Sequence, residues 1–133
     1  MAESFDPRSI ERVPFCALLG IKVESAAGGA ARVRMPFRLD LLNEGGPQVP
    51  IHGGAIASLI DVAALCALLS TPGLQRTATI ALNINYLNAG IHSDLVASAK
   101  MRKRGRRIAS LSVEVTDQSD QLIADALVTF RID

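Results

Sequence analysis

From Ala109 to the C-terminus, apolar and polar side chains alternate almost without exception. Ala109, Leu111, Val113 and Val115 alternate with Ser110, Ser112, Glu114 and Thr116; beyond a turn near Ser119-Asp120, Leu122, Ala124, Ala126, Val128, Phe130 and Ile132 resume the same period. A two-residue period puts every second side chain on one face, so these segments read as antiparallel strands with one face wet. Ile80, Leu82, Ile84 and Tyr86 form one face of an earlier run, and Leu95, Ala97, Ala99 and Met101 one face of the next. Asn83 and Asn85 share the other face of the first of these, which reads as a central strand. Near the N-terminus, Ile21–Glu24 and Ala31–Phe37 alternate around Gly28-Gly29, predicting a hairpin.

Between hairpin and strands the period changes. His52 to Leu69 is built almost wholly of Ala, Leu, Ile and Val from Ala55 onward, so it reads as one helix apolar on every face. Such a helix belongs in a core. A short leading helix is predicted over Arg8–Leu19, interrupted by Pro14 and stopped by Gly20. Asp40 to Pro50, with Asn43, Gly45, Gly46 and Pro47, has the composition of a loop that delivers the chain to His52. The order is hairpin, long helix, then a four-strand meander. The simplest architecture is α+β, a curved antiparallel sheet of about six strands wrapped around one helix. Such a sheet leaves edges, which favours dimerisation by edge pairing.

The 133 residues suit one domain, and 49% hydrophobic residues supply a core without staples. With 14 basic and 13 acidic residues there is no global field to attract nucleic acid or an anionic membrane. The helix is too short and too interrupted to span a bilayer, so no membrane partner is expected. Cys16 and Cys66 fit neither a disulfide framework nor metal-ligand spacing, and the first residues lack a secretory pattern; a cytoplasmic protein is expected.

One residue disturbs the apolar helix. Asp61 places a carboxylate in its middle, and a buried charge is costly unless it is hydrogen-bonded, neutralised or opens onto a cavity. At the helix entrance Gly53 and Gly54 allow close backbone approach to a ligand, where the first N–H groups are unsatisfied donors. The stretch offers an oxygen-binding end and a carboxylate. A structural reading also exists, in which a neighbouring hydroxyl such as Ser58 satisfies Asp61.

His52-Gly53-Gly54 at the helix start, Asp61 nine residues on from the histidine, the segment Thr79-Ile-Ala-Leu-Asn-Ile-Asn-Tyr, the Gly105-Arg106 turn and the closing Leu122–Ile132 strand resemble the hotdog-fold acyl-CoA thioesterases of the PaaI type. The resemblance covers nearly the whole chain, as a single hotdog domain over 1–133. It implies Asp61 as general base or nucleophile, the Gly53 N–H as the group that polarises the thioester carbonyl, and His52 as the residue shaping that turn. It further implies Thr79 as a hydroxyl orienting the attacking water and Asn43 as a supporting group in the preceding loop. Gly54 and Ser58 are counted with the substrate-binding residues. Gly54 and Asp61 lie about 10 Å apart along the helix, too far for one helix to supply both base and oxyanion donor to one carbonyl. A composite site is therefore expected, Asp61 of one subunit facing Gly53 of another, in a homodimer that pairs further into a dimer of dimers. Free acid and CoA would be the products, with no metal or cofactor.

Lys100–Arg107 is the one strong local charge feature. It reads either as a solvated hairpin tip or as a clamp for CoA phosphates through Arg104, Arg106 and Arg107. Acyl-chain preference is expected to depend on Phe37, Leu59 and the Asp40–Pro50 loop. Two rival functions use the same architecture: a 3-hydroxyacyl or enoyl thioester dehydratase, and a non-catalytic acyl-CoA sensor.

Overall fold

The structure, a computed structural model, describes residues 4–46 and 48–133. Residues 1–3, part of the segment read as lacking a secretory signal, and Pro47 of the loop lie outside it. The leading helix is two short helices. Pro14 cannot continue α1 (Arg8–Glu11) but suits the first position of α2 (Pro14–Leu19), which ends at Gly20 in the left-handed conformation. The hairpin follows as β1 (Lys22–Ala27) and β2 (Ala30–Met35), turning through Gly28 and Gly29, both with positive φ. A 3-10 turn at Leu39–Leu41 and a bridge between Leu42 and Ile51 bring the chain to α3 (Gly53–Leu69).

Four strands complete the sheet: β3 (Thr77–Tyr86), β4 (Leu95–Arg104), β5 (Ile108–Thr116) and β6 (Leu122–Ile132). They do not form the expected meander. The spatial order is β1-β2-β4-β5-β6-β3, all pairs antiparallel, so β3 lies beyond β6 and only β4, β5 and β6 follow one another. The connection from Leu87 to Asp94 carries the chain from the β3 edge past β6 and β5 to β4, and β2 takes the place beside β4 that a meander would give to β3. β3 is thus an edge strand, not a central one.

Helix α3 lies across β2, β4 and β5. Leu59, Ile60, Ala63, Ala64, Cys66, Ala67 and Leu68 are fully buried against Val33, Met35, Leu95, Ala97, Leu111, Val115 and Phe130. The small residues let helix and sheet approach closely. The other side of α3, which carries Ser58, Asp61, Val62, Leu65 and Leu69, is only half-buried. The all-round apolar pattern therefore exceeds what one sheet can cover.

Burial pushes the Cys66 thiol up to about 12, with Cys16 and Glu11 adding to the shift. Cys16 is also raised, by burial first and then by the charge of Asp61. Thiolate is the reactive form, so neither thiol is expected to react readily with a disulfide reagent in the native protein at pH 8, and both are expected to titrate after denaturation. Rapid native labelling of Cys66 would contradict this packing.

Beside the site, β3 contains a bulge. Thr79 pairs with Phe130 and Ala81 with Thr129, leaving Ile80 as the surplus residue. The bulge changes which side chains share a face. Leu82, Ile84 and Tyr86 pair with Val128, Ala126 and Ala124, whose side chains are buried on the helix side. Thr79, an odd-numbered position, joins that face because of the extra residue, whereas Ile80 is 56% exposed.

Candidate active site

Asp61 is half-buried on α3, and Thr79 reaches it from β3: the Thr79 hydroxyl donates to Asp61 Oδ1 at 2.7 Å. Ser58, the hydroxyl that a purely structural reading would use, donates instead to the Gly54 carbonyl at 2.9 Å. Asp61 is therefore held by a group from another element, and its second oxygen has no hydrogen-bond partner among the described residues. A carboxylate held on one side and open on the other can accept a proton from a water or present an oxygen to a substrate.

At the helix entrance each residue of His52-Gly53-Gly54 has a separate task. His52 is the N-cap, and its Nδ1 accepts the Gly54 N–H at 2.8 Å. A side chain at 54 would place its Cβ 2.9 Å from that nitrogen, so glycine is what lets the imidazole close over the helix end. The Gly54 N–H is thereby engaged within the chain rather than offered to a ligand. At Gly53 the Tyr86 ring lies 3.4 Å from where a Cβ would stand, and the Tyr86 hydroxyl donates to the Gly53 carbonyl at 2.8 Å. The Gly53 N–H has no partner among the described residues. Removing the cap by His52→Ala is expected to cost about 1 kcal/mol of stability, read as a lower denaturant midpoint with unchanged slope. An unchanged midpoint would show that the histidine does not cap.

Comparisons with known proteins settle the family. The model of the Thioesterase superfamily matches residues 51–124, which contain α3, Asp61 and Thr79. The chain belongs to that superfamily. Human acyl-coenzyme A thioesterase 13 is 32% identical over 113 residues, covering 84% of this chain and 76% of its own. The Escherichia coli PaaI protein of the phenylacetic acid degradation operon superposes with a TM-score of 0.83 at 27% identity, covering 95% of this chain and 88% of its own. A hypothetical thioesterase protein from Streptococcus pneumoniae TIGR4, solved with coenzyme A, gives 0.77 at 25% identity, covering 85% of each chain. The fold is the hotdog fold, PaaI-like, and the protein is a thioester hydrolase.

Within this thioesterase the remaining expected site residues lie apart. Asn43 is exposed in the loop closed by the Leu42–Ile51 bridge, and its side chain makes no hydrogen bond among the described residues. Its backbone N–H donates to Pro50. Asn83 and Asn85 turn to the sheet face away from α3, where Asn85 donates to Asp125 at 3.1 Å. They neither satisfy each other nor line the cleft at Asp61. Arg104 is engaged with the turn after α3, donating to the Thr71 hydroxyl at 2.9 Å. Arg106 and Arg107 are exposed and line a concavity of about 490 Å³ with Lys103 and Ser110. Register places this hairpin at the Asp61 end of the sheet: Arg104 pairs with Ala109, Ala109 with Phe130, and Phe130 with Thr79. Three strand spacings separate Arg104 from Thr79, about 14 Å.

Tyr86 went unnoticed as a site residue in the sequence. Its only signal there is that the chain's single tyrosine falls on an apolar strand face, where a polar tip must find a partner.

Proposed function

We propose that this thioesterase hydrolyses acyl-CoA at a site shared by two subunits, with Asp61 of one chain and the Gly53 N–H of the other. One observation supports it most. The carboxylate anchor, Thr79 on Asp61, and the entrance anchor, Tyr86 on Gly53, lie at opposite ends of the same edge strand. Seven residues separate them, about 23 Å of strand. Ile80 and Leu82 on this edge are too exposed for a strand facing water alone. Antiparallel pairing of β3 with its copy about a two-fold axis between Leu82 and Asn83 sets Thr79 opposite Tyr86 of the partner. Each Asp61 then faces the other chain's helix entrance, closing the gap that one chain leaves open.

In that arrangement the Gly53 N–H donates to the thioester oxygen and stabilises the negative charge that develops there, at a helix end whose dipole favours it. Asp61 takes a proton from water as the water oxygen bonds to the carbonyl carbon, or attacks that carbon itself. On the first route the C–S bond then breaks and the CoA sulfur leaves with that proton. On the second the sulfur leaves as thiolate, and water cleaves the acyl–Asp61 anhydride to free acid and the regenerated carboxylate while its other proton goes to the thiolate. Thr79 fixes the carboxylate, and Arg106 and Arg107 provide forked donors for the CoA phosphates. Base and donor suffice without a metal or cofactor. We further propose a single domain over 1–133, a dimer of dimers and a cytoplasmic location, which suits two unpaired thiols.

Free-thiol release from aryl, short, medium and long acyl-CoAs tests the reading. Turnover of at least one is expected; binding of all without thiol from any would overturn it in favour of an acyl-CoA sensor.

A further inference from the structure

On the far side of the helix entrance from Tyr86 lies a groove of about 450 Å³ that the proposed chemistry does not use. Its walls are Phe15 and Leu19 of α2 and Leu41 and Leu42 beyond β2; its floor is Ala55 and Ser58 of α3. Its outer end, at Asp40 and His52, is polar, and the Ser58 hydroxyl on the floor is turned to the Gly54 carbonyl. The volume falls within the roughly 300–1,000 Å³ of small-molecule sites.

The groove is joined to the reactive end through α3 itself. Gly54, Ser58 and Asp61 follow one another at intervals of four and three, so they stand in one stripe along the helix. Asp61 lies three residues beyond Ser58, about 4.5 Å further along the axis. Phe15 and Leu19 of α2 stand across the groove from Ala55 and Ser58 on this stripe's side of α3. A carbonyl carbon at Asp61 thus has an apolar channel leading away from it along its own subunit. The channel's rim is apolar too. Phe15, Leu18 and Leu39 are 54%, 68% and 65% exposed. Leu59 and Phe37, expected from sequence to set the chain preference, are elsewhere: Leu59 is fully buried, and Phe37 packs its ring on His92.

We infer that this groove seats the acyl chain of the substrate, a linear aliphatic chain of medium length, on the subunit that supplies Asp61. The inference rests on the thioesterase reading for its substrate but makes a separate claim, that chain recognition belongs to α2 and the outer stripe of α3. The CoA moiety then leaves toward the basic hairpin at the other end of α3.

The test compares kcat/KM across acetyl-, butanoyl-, hexanoyl-, octanoyl- and decanoyl-CoA for native protein, Phe15→Ala and Ser58→Leu. The first variant removes an exposed wall; the second fills the floor with a good helix former. In the native protein each added methylene is expected to raise kcat/KM about twofold or more until the groove is full. Both variants are expected to flatten that rise, so that the decanoyl-to-acetyl ratio falls about tenfold or more. Circular dichroism melts check that both are folded. A ratio that stays within about twofold of native in both overturns the inference, even if every substrate is hydrolysed. If no acyl-CoA is hydrolysed, the reaction reading fails, and the groove is judged by calorimetric binding of decanoyl-CoA against CoA. Tighter binding of decanoyl-CoA that Phe15→Ala abolishes supports the groove; an equal preference in native and variant protein overturns it.

Discussion

Asp61→Asn is expected to lower kcat/KM for the best acyl-CoA substrate about 100-fold or more while leaving the fold intact. The amide keeps the size of the carboxylate, and its oxygen can still accept the Thr79 hydroxyl, which donates at 2.7 Å in the native protein. What it cannot do is take a proton from water or attack a thioester. Loss of the carboxylate on a half-buried helix position also removes a desolvation cost, so the variant should melt no lower than the parent. Thiol release and a thermal melt, run together, separate the two effects. Activity within about threefold of native would place the base elsewhere.

The second large effect comes from Gly53→Pro. Proline is tolerated at the first position of a helix and deletes only the N–H, which is the group proposed to hold the oxyanion. The preceding residue, His52, already has φ −58 and ψ 133, which a following proline requires. A Cβ at 53 meets Tyr86 at 3.4 Å, an ordinary contact. A loss of about 100- to 1,000-fold in kcat is expected, as for other oxyanion donors. Mixing then decides where the site lies. When Gly53→Pro and Asp61→Asn proteins are unfolded together and refolded, random pairing makes half the dimers mixed. In a shared site each mixed dimer has one intact centre, so about a quarter of native activity returns. If base and donor belonged to the same chain, every centre would lack one of them, and activity would stay at the floor.

The alternation in the sequence carried most of the architecture. β1, β2, β4, β5, β6 and α3 lie where their two-residue or helical periods place them, because one face of each meets the core. Pro14 and Gly20 punctuate the leading segment as their ring and left-handed backbone demand. The place of β3 was not legible. A strand's own pattern says which face is buried but not which neighbour it has, and the eight-residue connection before β4 permits either a hairpin or a crossing. That error also misplaced Asn83 and Asn85. At the site, Asp61 stood out because a carboxylate in an apolar helix needs a reason, and His-Gly-Gly with the spacing to Asp61 carried the family. The division of labour within His-Gly-Gly was not readable, since it depends on where the His52 ring and Tyr86 come to rest. Nor was the groove under α2, because Phe15 and Leu19 acquire a common wall with Leu41 only once the chain has folded back.

The bulge at Ile80 bears on how this enzyme tolerates change. Thr79 reaches Asp61 because β3 carries one residue more than β6 opposite it, so the contact depends on chain length as much as on side-chain identity. Swapping Ile80 for another residue leaves the count intact. Deleting it would bring 79 and 81 into strict succession and turn the hydroxyl to the outer face, with the carboxylate left unsupported. Along this strand insertions and deletions are therefore as harmful as loss of the Thr79 hydroxyl, and a scan of point substitutions never samples them.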